Sequence, residues 1–421
     1  VLKTLRRGGS NVNKNANNEV ATNGSAPAQC PYSPLDPEVL ADPFPAYAQL
    51  RSECPVHNTN MGGREFLTVA NRADVHNILT SPNEWVNRYG AGIAYSGVDG
   101  RGNLQHFDQP EHTKRRVLMR NEFNPVEVKK LADDAVRVAN ELARDMAASG
   151  NSAELHDAFA CPMPILGFID LMGVPAEDRT LIKNWADQLV LGLSDPPAAV
   201  KPTEEIKQYI NAAVSQRRRV ADAGGTPTPG LLTEYSLRTI DGERIPLIEM
   251  EAMVLQLLVA GHETTTSLIT NLMWRLLEVP TRWQRIVNDF SLIPNAIEES
   301  LRYDPPVLGL FRTNEKPAVI NGVNVPEKTK VMVMYASANR DPEAFPNPDE
   351  FDIDRDPMQL KRHYGFGWGI HHCLGAPIAR QTARIAIETL ATHFPTMQLA
   401  GPTERLGAAI LWGRRTLPVQ W

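Results

Sequence analysis

Helical periodicity over most of the chain, a brief switch to β character late in it, and a proline-rich irregular run before one last helix predict a mainly α fold with a small β region. In order, residues 32–80 alternate short apolar runs with Pro and Asp. Within them Arg64-Glu-Phe-Leu-Thr-Val-Ala70 has the two-residue period of a strand, and a helical pattern starts at Arg72. Gly90, Gly92, Gly97, Gly100 and Gly102 make the stretch from Asn87 to Asn103 a loop with little packing capacity, suited to cover a site and carrying Tyr89, Ile93 and Tyr95. Helical patterns then dominate: Glu111 to Glu122, Pro125 to Ser149, Pro162 to Met172, Ala176 to Leu193, Glu204 to Ala223, Pro246 to Val279 and Asn295 to Tyr303. Ala318-Val-Ile-Asn-Gly-Val-Asn-Val and Lys330-Val-Met-Val-Met read as short strands, with Asn321-Gly322 as a hairpin turn. Between Asn339 and Gly369, Pro342, Pro346, Pro348, Pro357, Gly365 and Gly367 rule out regular structure, and a final helix runs from Leu374 to about His393.

The chain has 421 residues, more than the roughly 250–300 at which one core stops growing, so two domains or one unusually large one are expected. No linker and no repeat divides it. A net charge of −6 leaves no basic surplus for phosphate backbones, which sets nucleic acid aside as a partner. No apolar run reaches the roughly 18–20 residues needed to span a bilayer. The first thirty residues, with the Asn-rich run Asn11 to Asn18 and the basic pair of Leu5-Arg6-Arg7, carry too little apolar surface to offset ordering entropy and read as a tail, with residues 31–421 as the folded unit. Cys30, Cys54, Cys161 and Cys373 are too few and too scattered for a disulfide framework, and no signal-peptide core precedes them. A reducing, cytoplasmic location is the expectation.

Three segments carry chemistry. Cys373 lies in Phe366-Gly-Trp-Gly-Ile-His-His-Cys-Leu-Gly375, a glycine-rich loop that runs into a helix. A thiolate at a helix N-terminus is favoured by the dipole and by free N–H groups, so Cys373 is either a buried structural cysteine or one readily ionised to bind metal. Zinc is disfavoured despite adjacent His371 and His372, because no second cysteine lies at ligand spacing. The second segment, Val259-Ala-Gly-His-Glu-Thr-Thr-Thr266, sits mid-way along a helical pattern long enough, at about 1.5 Å per residue, to span about 50 Å. Gly261 and three threonines weaken that helix, and Glu263 is costly in its apolar middle, a local inconsistency that marks function or a set of back-bonded hydroxyls with a paired acid. Glu299-Ser-Leu-Arg302 places opposite charges on one helical face.

Phe366, Gly367, Gly369, His371, Cys373 and Gly375 resemble, residue by residue, the haem-binding loop of the cytochrome P-450 family, and the other segments follow that family's order from Pro31 to Trp421. The resemblance implies a single large domain around haem b (iron protoporphyrin IX), with Cys373 as the thiolate ligand, Phe366 beside the sulfur, and Gly375 allowing close approach of the porphyrin. It implies Glu263 and Thr264 as the pair that delivers protons to dioxygen, and His112, Arg116, Arg312 and His371 as partners of the haem propionates. It also implies a buried structural set of Glu299, Arg302 and Arg355. Trp368 and His372 occupy variable positions and receive no role.

By the same resemblance the substrate pocket is lined by the loop of Tyr89 and Tyr95, by Val259 and Ala260, by Val307 and Leu308, and by Ile410 and Leu411. Their apolar character implies a small or medium hydrophobic substrate, with the tyrosines as hydrogen-bond donors. No flavin or iron–sulfur segment is visible, so NAD(P)H-derived electrons are expected from a ferredoxin or flavodoxin and its reductase, docking on Lys114, Arg115, Arg120, Lys361, Arg362 and Arg380. The function expected is that of a haem-thiolate monooxygenase performing hydroxylation, epoxidation or O-dealkylation. A peroxide-driven peroxygenase or a non-oxygenating rearrangement enzyme on the same fold is the alternative, disfavoured by the intact Glu263-Thr264 pair. A haem protein without catalysis is disfavoured by the apolar pocket.

Overall fold

A computed structural model describes residues 30–93, 103–191 and 196–421; the expectations for residues 1–29 and for Tyr95 lie outside them. Seven helices frame the molecule: α1 (Glu111–Arg120), α2 (Ala132–Ser149), α3 (Pro162–Met172), α4 (Val200–Asp222), α5 (Leu247–Glu278), α6 (Ile293–Tyr303) and α7 (Ala376–His393). The long helix α5 is the axis, packing against α3, α4, α6 and α7. Its second half is buried on every face: Leu268, Ile269, Leu272, Met273 and Leu276 alternate with equally buried Thr266, Thr270 and Asn271, which explains why its apolar stripe is broad rather than narrow. No helix among the described residues is long and apolar enough to cross a membrane.

A five-stranded sheet stands beside the helices in the order β1 (Val56–Met61), β2 (Arg64–Val69), β5 (Lys330–Val333), β4 (Leu310–Asn314), β3 (Trp85–Val86). β5 runs parallel to β2 and antiparallel to β4, with Val331 opposite Leu67 on one side and Arg312 on the other. The hairpin of Ala318–Ile320 and Val323–Val325 closes through Asn321 and Gly322, both at positive φ (46° and 77°), as the dipeptide predicts for a two-residue turn. β1 and β4 escape detection in the sequence for different reasons. β1 carries the polar run His57-Asn-Thr-Asn60 at a sheet edge, while β4 is central and buries even Arg312, Thr313 and Asn314, so no alternation is left to read. The helix expected from Pro125 to Ser149 is broken at Leu131, whose N–H turns back onto the carbonyls of Val128 and Lys129.

Cys30 and Cys54 form a disulfide, against the expectation that the cysteines stay unpaired. Both are buried in a core cluster with Tyr32, Tyr47 and Leu50, so Cys30, counted with the tail in the sequence, belongs to the folded unit. Because disulfides persist in oxidising surroundings, the cysteine count no longer argues for a reducing compartment.

The irregular stretch before α7 is held by two arginines. Arg302 of α6 forks onto Glu299 with two bonds of 2.7 Å and also donates to the carbonyls of Asn339, Pro348 and Glu350. Arg355 donates to Glu299 Oε2 at 3.1 Å and to the carbonyls of Pro346, Asn347 and Glu350. Glu299 and Arg302 are entirely out of solvent. Replacing Glu299 with Ala leaves two buried guanidinium groups without a counter-charge and is expected to cost about 3–5 kcal/mol, read from the denaturant midpoint; a loss below about 1 kcal/mol would mean that the carbonyls alone compensate them.

Candidate active site

The loop before α7 takes its shape from two glycines. Gly367 and Gly369 adopt φ of 66° and 72°, and a Cβ at Gly369 would stand 2.2 Å from the Leu79 carbonyl oxygen. The Cys373 N–H donates to the Phe366 carbonyl at 2.9 Å and closes the loop, while the Phe366 ring lies 4.6 Å from the Arg380 guanidinium. The Cys373 thiol is exposed along one side. It is nonetheless deep enough that burial is the strongest influence on its ionisation and pushes its pKa up, against the N–H groups of Gly375 and Ala376 and the charges of Arg116 and Arg380. The N–H groups at the head of the helix pull in the direction expected of a readily ionised thiol, and burial opposes them. A cation at the sulfur would supply the missing stabilisation of the thiolate.

Around this loop stand four basic side chains that press on one another. His112 of α1 is buried, both of its ring nitrogens lack a partner, and its ring centroid is 4.3 Å from that of His371. Burial, then Arg116, push its pKa down to about 4. His371 is lowered well below its ordinary value by burial, Arg312, His112, Arg116 and His106 in that order. Arg312 in β4 is buried and donates to the Phe311 carbonyl; Arg116 donates to the His372 carbonyl at 2.7 Å. Among the described residues neither arginine has a carboxylate partner. Buried donors with no acceptor are rare in folded proteins, and this group is short of an anion. His106 belongs to the same group; nothing about its sequence neighbours marks it. A Cβ at Gly375 would meet only the Cys373 sulfur, at 3.9 Å, so no packing demand of the protein explains that glycine. An open thiol, an orphaned imidazole, two arginines without acids and a glycine facing space fit an iron porphyrin with two propionates.

On α5 the helix is continuous through its weak segment. Thr264 is half-buried and its hydroxyl donates to the Ala260 carbonyl at 2.6 Å, which leaves its lone pairs free to accept. Glu263 is buried and accepts from Ser267 at 3.0 Å. Burial raises its pKa, with Ser267, His156 and Arg415 opposing. Arg415 and His156, whose charges act on that carboxyl, are joined to exposed Asp157 and to each other by contacts of 2.6–3.2 Å.

The pocket residues divide. Ala260 is exposed and Val259 half-buried on α5, and Val307 bridges Leu411 while the Leu308 N–H donates to the Ile410 carbonyl. These segments therefore meet, but Leu308 packs into the core with Phe311 and Trp412 and offers no pocket surface. The Tyr89 hydroxyl accepts from exposed Lys328. Its loop is fastened by a residue that the sequence does not advertise: Lys330, buried in β5, donates to the carbonyls of Tyr89, Gly90 and Gly92 at 3.1, 2.7 and 2.6 Å, and burial lowers its pKa to about 8. The basic docking patch is also smaller than expected. Lys114 pairs with Asp241, Arg115 with Glu249 and Arg380 with Glu298, leaving Arg120, Lys361 and Arg362 exposed.

A family model for cytochrome P-450 matches residues 197–402. The chain is 34% identical over 398 residues to the cytochrome P-450 monooxygenase PikC of Streptomyces venezuelae, covering 92% of this chain and 93% of that one. Its structure is similar to cytochrome P-450 CYP109Q5 of Chondromyces apiculatus, with a TM-score of 0.83, 30% identity and coverage of 92% and 97%. It is also similar to CYP109E1 of Bacillus megaterium in complex with testosterone, with a TM-score of 0.80, 28% identity and coverage of 90% and 99%.

The depressed His112 gives a pH dependence with a definite sign. An imidazole at about 4 in the fold and 6.5 when free favours the native state above pH 6.5, and that advantage is lost as pH falls from 6.5 through 4. The denaturation midpoint of the apoprotein is expected to fall across that window, and His112→Gln to flatten the fall; an unchanged slope in the variant would show that His112 is not held neutral.

Proposed function

Since the chain belongs to the cytochrome P-450 family of monooxygenases, we propose that it uses haem b and dioxygen to insert one oxygen atom into a small or medium hydrophobic molecule, with electrons from a separate ferredoxin or flavodoxin and its reductase. The observation that carries the site assignment is the open Cys373 thiol beside His112, an imidazole with two unpartnered nitrogens in a cluster short of an anion.

Haem, when bound, supplies the iron that takes up dioxygen, and a thiolate ligand favours cleavage of the O–O bond. The chain's own residues do the rest. Cys373 ligates the metal, and His112, Arg116, Arg312 and His371 neutralise the propionates. Glu263, whose pKa burial raises above the ordinary carboxyl value, passes protons from the side of His156 and Arg415. Thr264, with its own proton spent on the Ala260 carbonyl, accepts a hydrogen bond from the water that carries them. Val259, Ala260, Val307, Ile410 and Leu411 give the substrate an apolar wall and few polar handles, in keeping with a steroid-sized or smaller apolar compound. The testosterone held by a structural neighbour is a suitable first probe.

Three measurements follow from this reading. The reduced carbon-monoxide complex is expected to show the family's red-shifted absorption band, and Cys373→Ser to lose it; its absence in the native protein would sink the thiolate assignment. Glu263→Gln is expected to slow product formation by about 100-fold, and Thr264→Ala to keep substrate binding while sending reducing equivalents to peroxide. Full coupling of NAD(P)H oxidation to product in Thr264→Ala would remove Thr264 from the reaction. Hydrophobic compounds, testosterone first, are expected to change the haem spin state on titration, whereas charged compounds of equal size leave it unchanged.

A further inference from the structure

A second cavity, of about 470 Å³, lies between the N-terminal helix Phe44–Glu53, the end of α5, the end of α6 and the last strands of the chain. Its walls combine aromatic rings with arginines: Trp274, Tyr303 and Trp412 with Arg275, Arg340 and Arg414. Two of the arginines are neutralised. Arg275 bonds Asp304 at 2.6 Å and Arg340 bonds Asp349 at 3.1 Å, and Asp304, wholly buried, also accepts from the Trp412 indole at 2.9 Å. Arg414 is not. It is 93% buried (7% exposed), its guanidinium lies 3.4 Å over the Trp274 ring, and among the described residues it has neither an ion pair nor a side-chain hydrogen bond; its Nε is buried with no acceptor. A guanidinium has five N–H donors and holds its charge at neutral pH, so a buried one without an acceptor is a site waiting for an anion.

We propose that this cavity is a binding site for a monoanionic organic carboxylate, its carboxyl group forked onto Arg414 and its apolar part lying against Ala41, Pro45 and Ala48. The planar fork of a guanidinium matches a carboxylate with two parallel hydrogen bonds. The acids Asp42 and Asp349, which also line the cavity, disfavour a dianion such as phosphate, and the volume and apolar wall exceed what a bare ion needs. None of these residues belongs to the haem or substrate set.

The test is calorimetric titration of the holoenzyme with 3-phenylpropanoate, with the haem absorption band followed in parallel to exclude occupancy of the substrate pocket. Saturable binding is expected with no change in the haem band, about tenfold weaker in Arg414→Met and also weakened in Ala48→Phe, which places a ring against the wall assigned to the ligand's apolar part and leaves Arg414 in place. The neutral 3-phenylpropanamide is expected not to bind. Without ligand, Arg414→Met is expected to melt no lower than the native protein, because a charge with no counter-ion has been removed; with ligand, only the native protein gains. The proposal is overturned if no saturable binding occurs, if the amide or inorganic phosphate binds as tightly as the acid, or if Arg414→Met binds equally well. Should Arg414→Met fail to fold, undiminished binding in Ala48→Phe overturns it.

Discussion

A long irregular segment can lie inside a protein only if its backbone carbonyls find donors, and the residues from 339 to 355 find theirs in Arg302 and Arg355. Each guanidinium has donors to spare after pairing with Glu299, and spends them on carbonyls that no helix or strand could satisfy. The carboxylate in turn accepts from the Asp352 N–H at 2.8 Å, so one acid lies between the two guanidinium groups while they fasten the chain. This is the case in which a buried ion pair is retained for what it positions rather than for the stability of the pair itself. Pro346 and Pro348 fit the same logic: a proline has no N–H to satisfy, and its carbonyl is the acceptor these arginines use.

Everything on the thiolate side follows from that anchor. The segment emerges through the tight turn at Gly367 and Gly369, which presses on Leu79, and delivers Cys373 to the head of α7. α7 packs against α2, α5 and α6, so the cysteine and the Glu263-Thr264 segment are mounted on elements that touch directly.

Opposite requirements meet in this interior. The core is assembled from close-packed aliphatic and aromatic side chains, yet the haem side gathers arginines beside two histidines, His112 and His371, whose pKa values fall through burial first and then through the neighbouring positive charges. A protein that folds around such a cluster keeps its imidazoles neutral until an anion arrives. Arg414 shows the same imbalance in a different cavity, where Asp304 and Asp349 are paired with its neighbours Arg275 and Arg340.

The fold class, most of the long helices, the hairpin at Asn321-Gly322 and the glycine-rich loop that leads into the last helix were legible from the residues alone, because each is a local pattern: a period, a turn dipeptide, a glycine spacing. The Cys373 loop was the clearest of these, since its glycines and its cysteine lie within ten consecutive positions. What depended on partners distant in the chain was not legible. Leu308 and Ile410 are both apolar, yet Leu308 is consumed by the core. Tyr89 is claimed by Lys328, Arg115 by Glu249, and Cys30 by Cys54. The sign of the Cys373 shift was also decided in three dimensions, where desolvation, which depends on every surrounding atom, outweighed the dipole that sequence position reveals. Sequence by itself determined which chemistry the chain carries; tertiary structure decided which side chains are free to take part, because burial and pairing are made by residues that lie far apart along the chain.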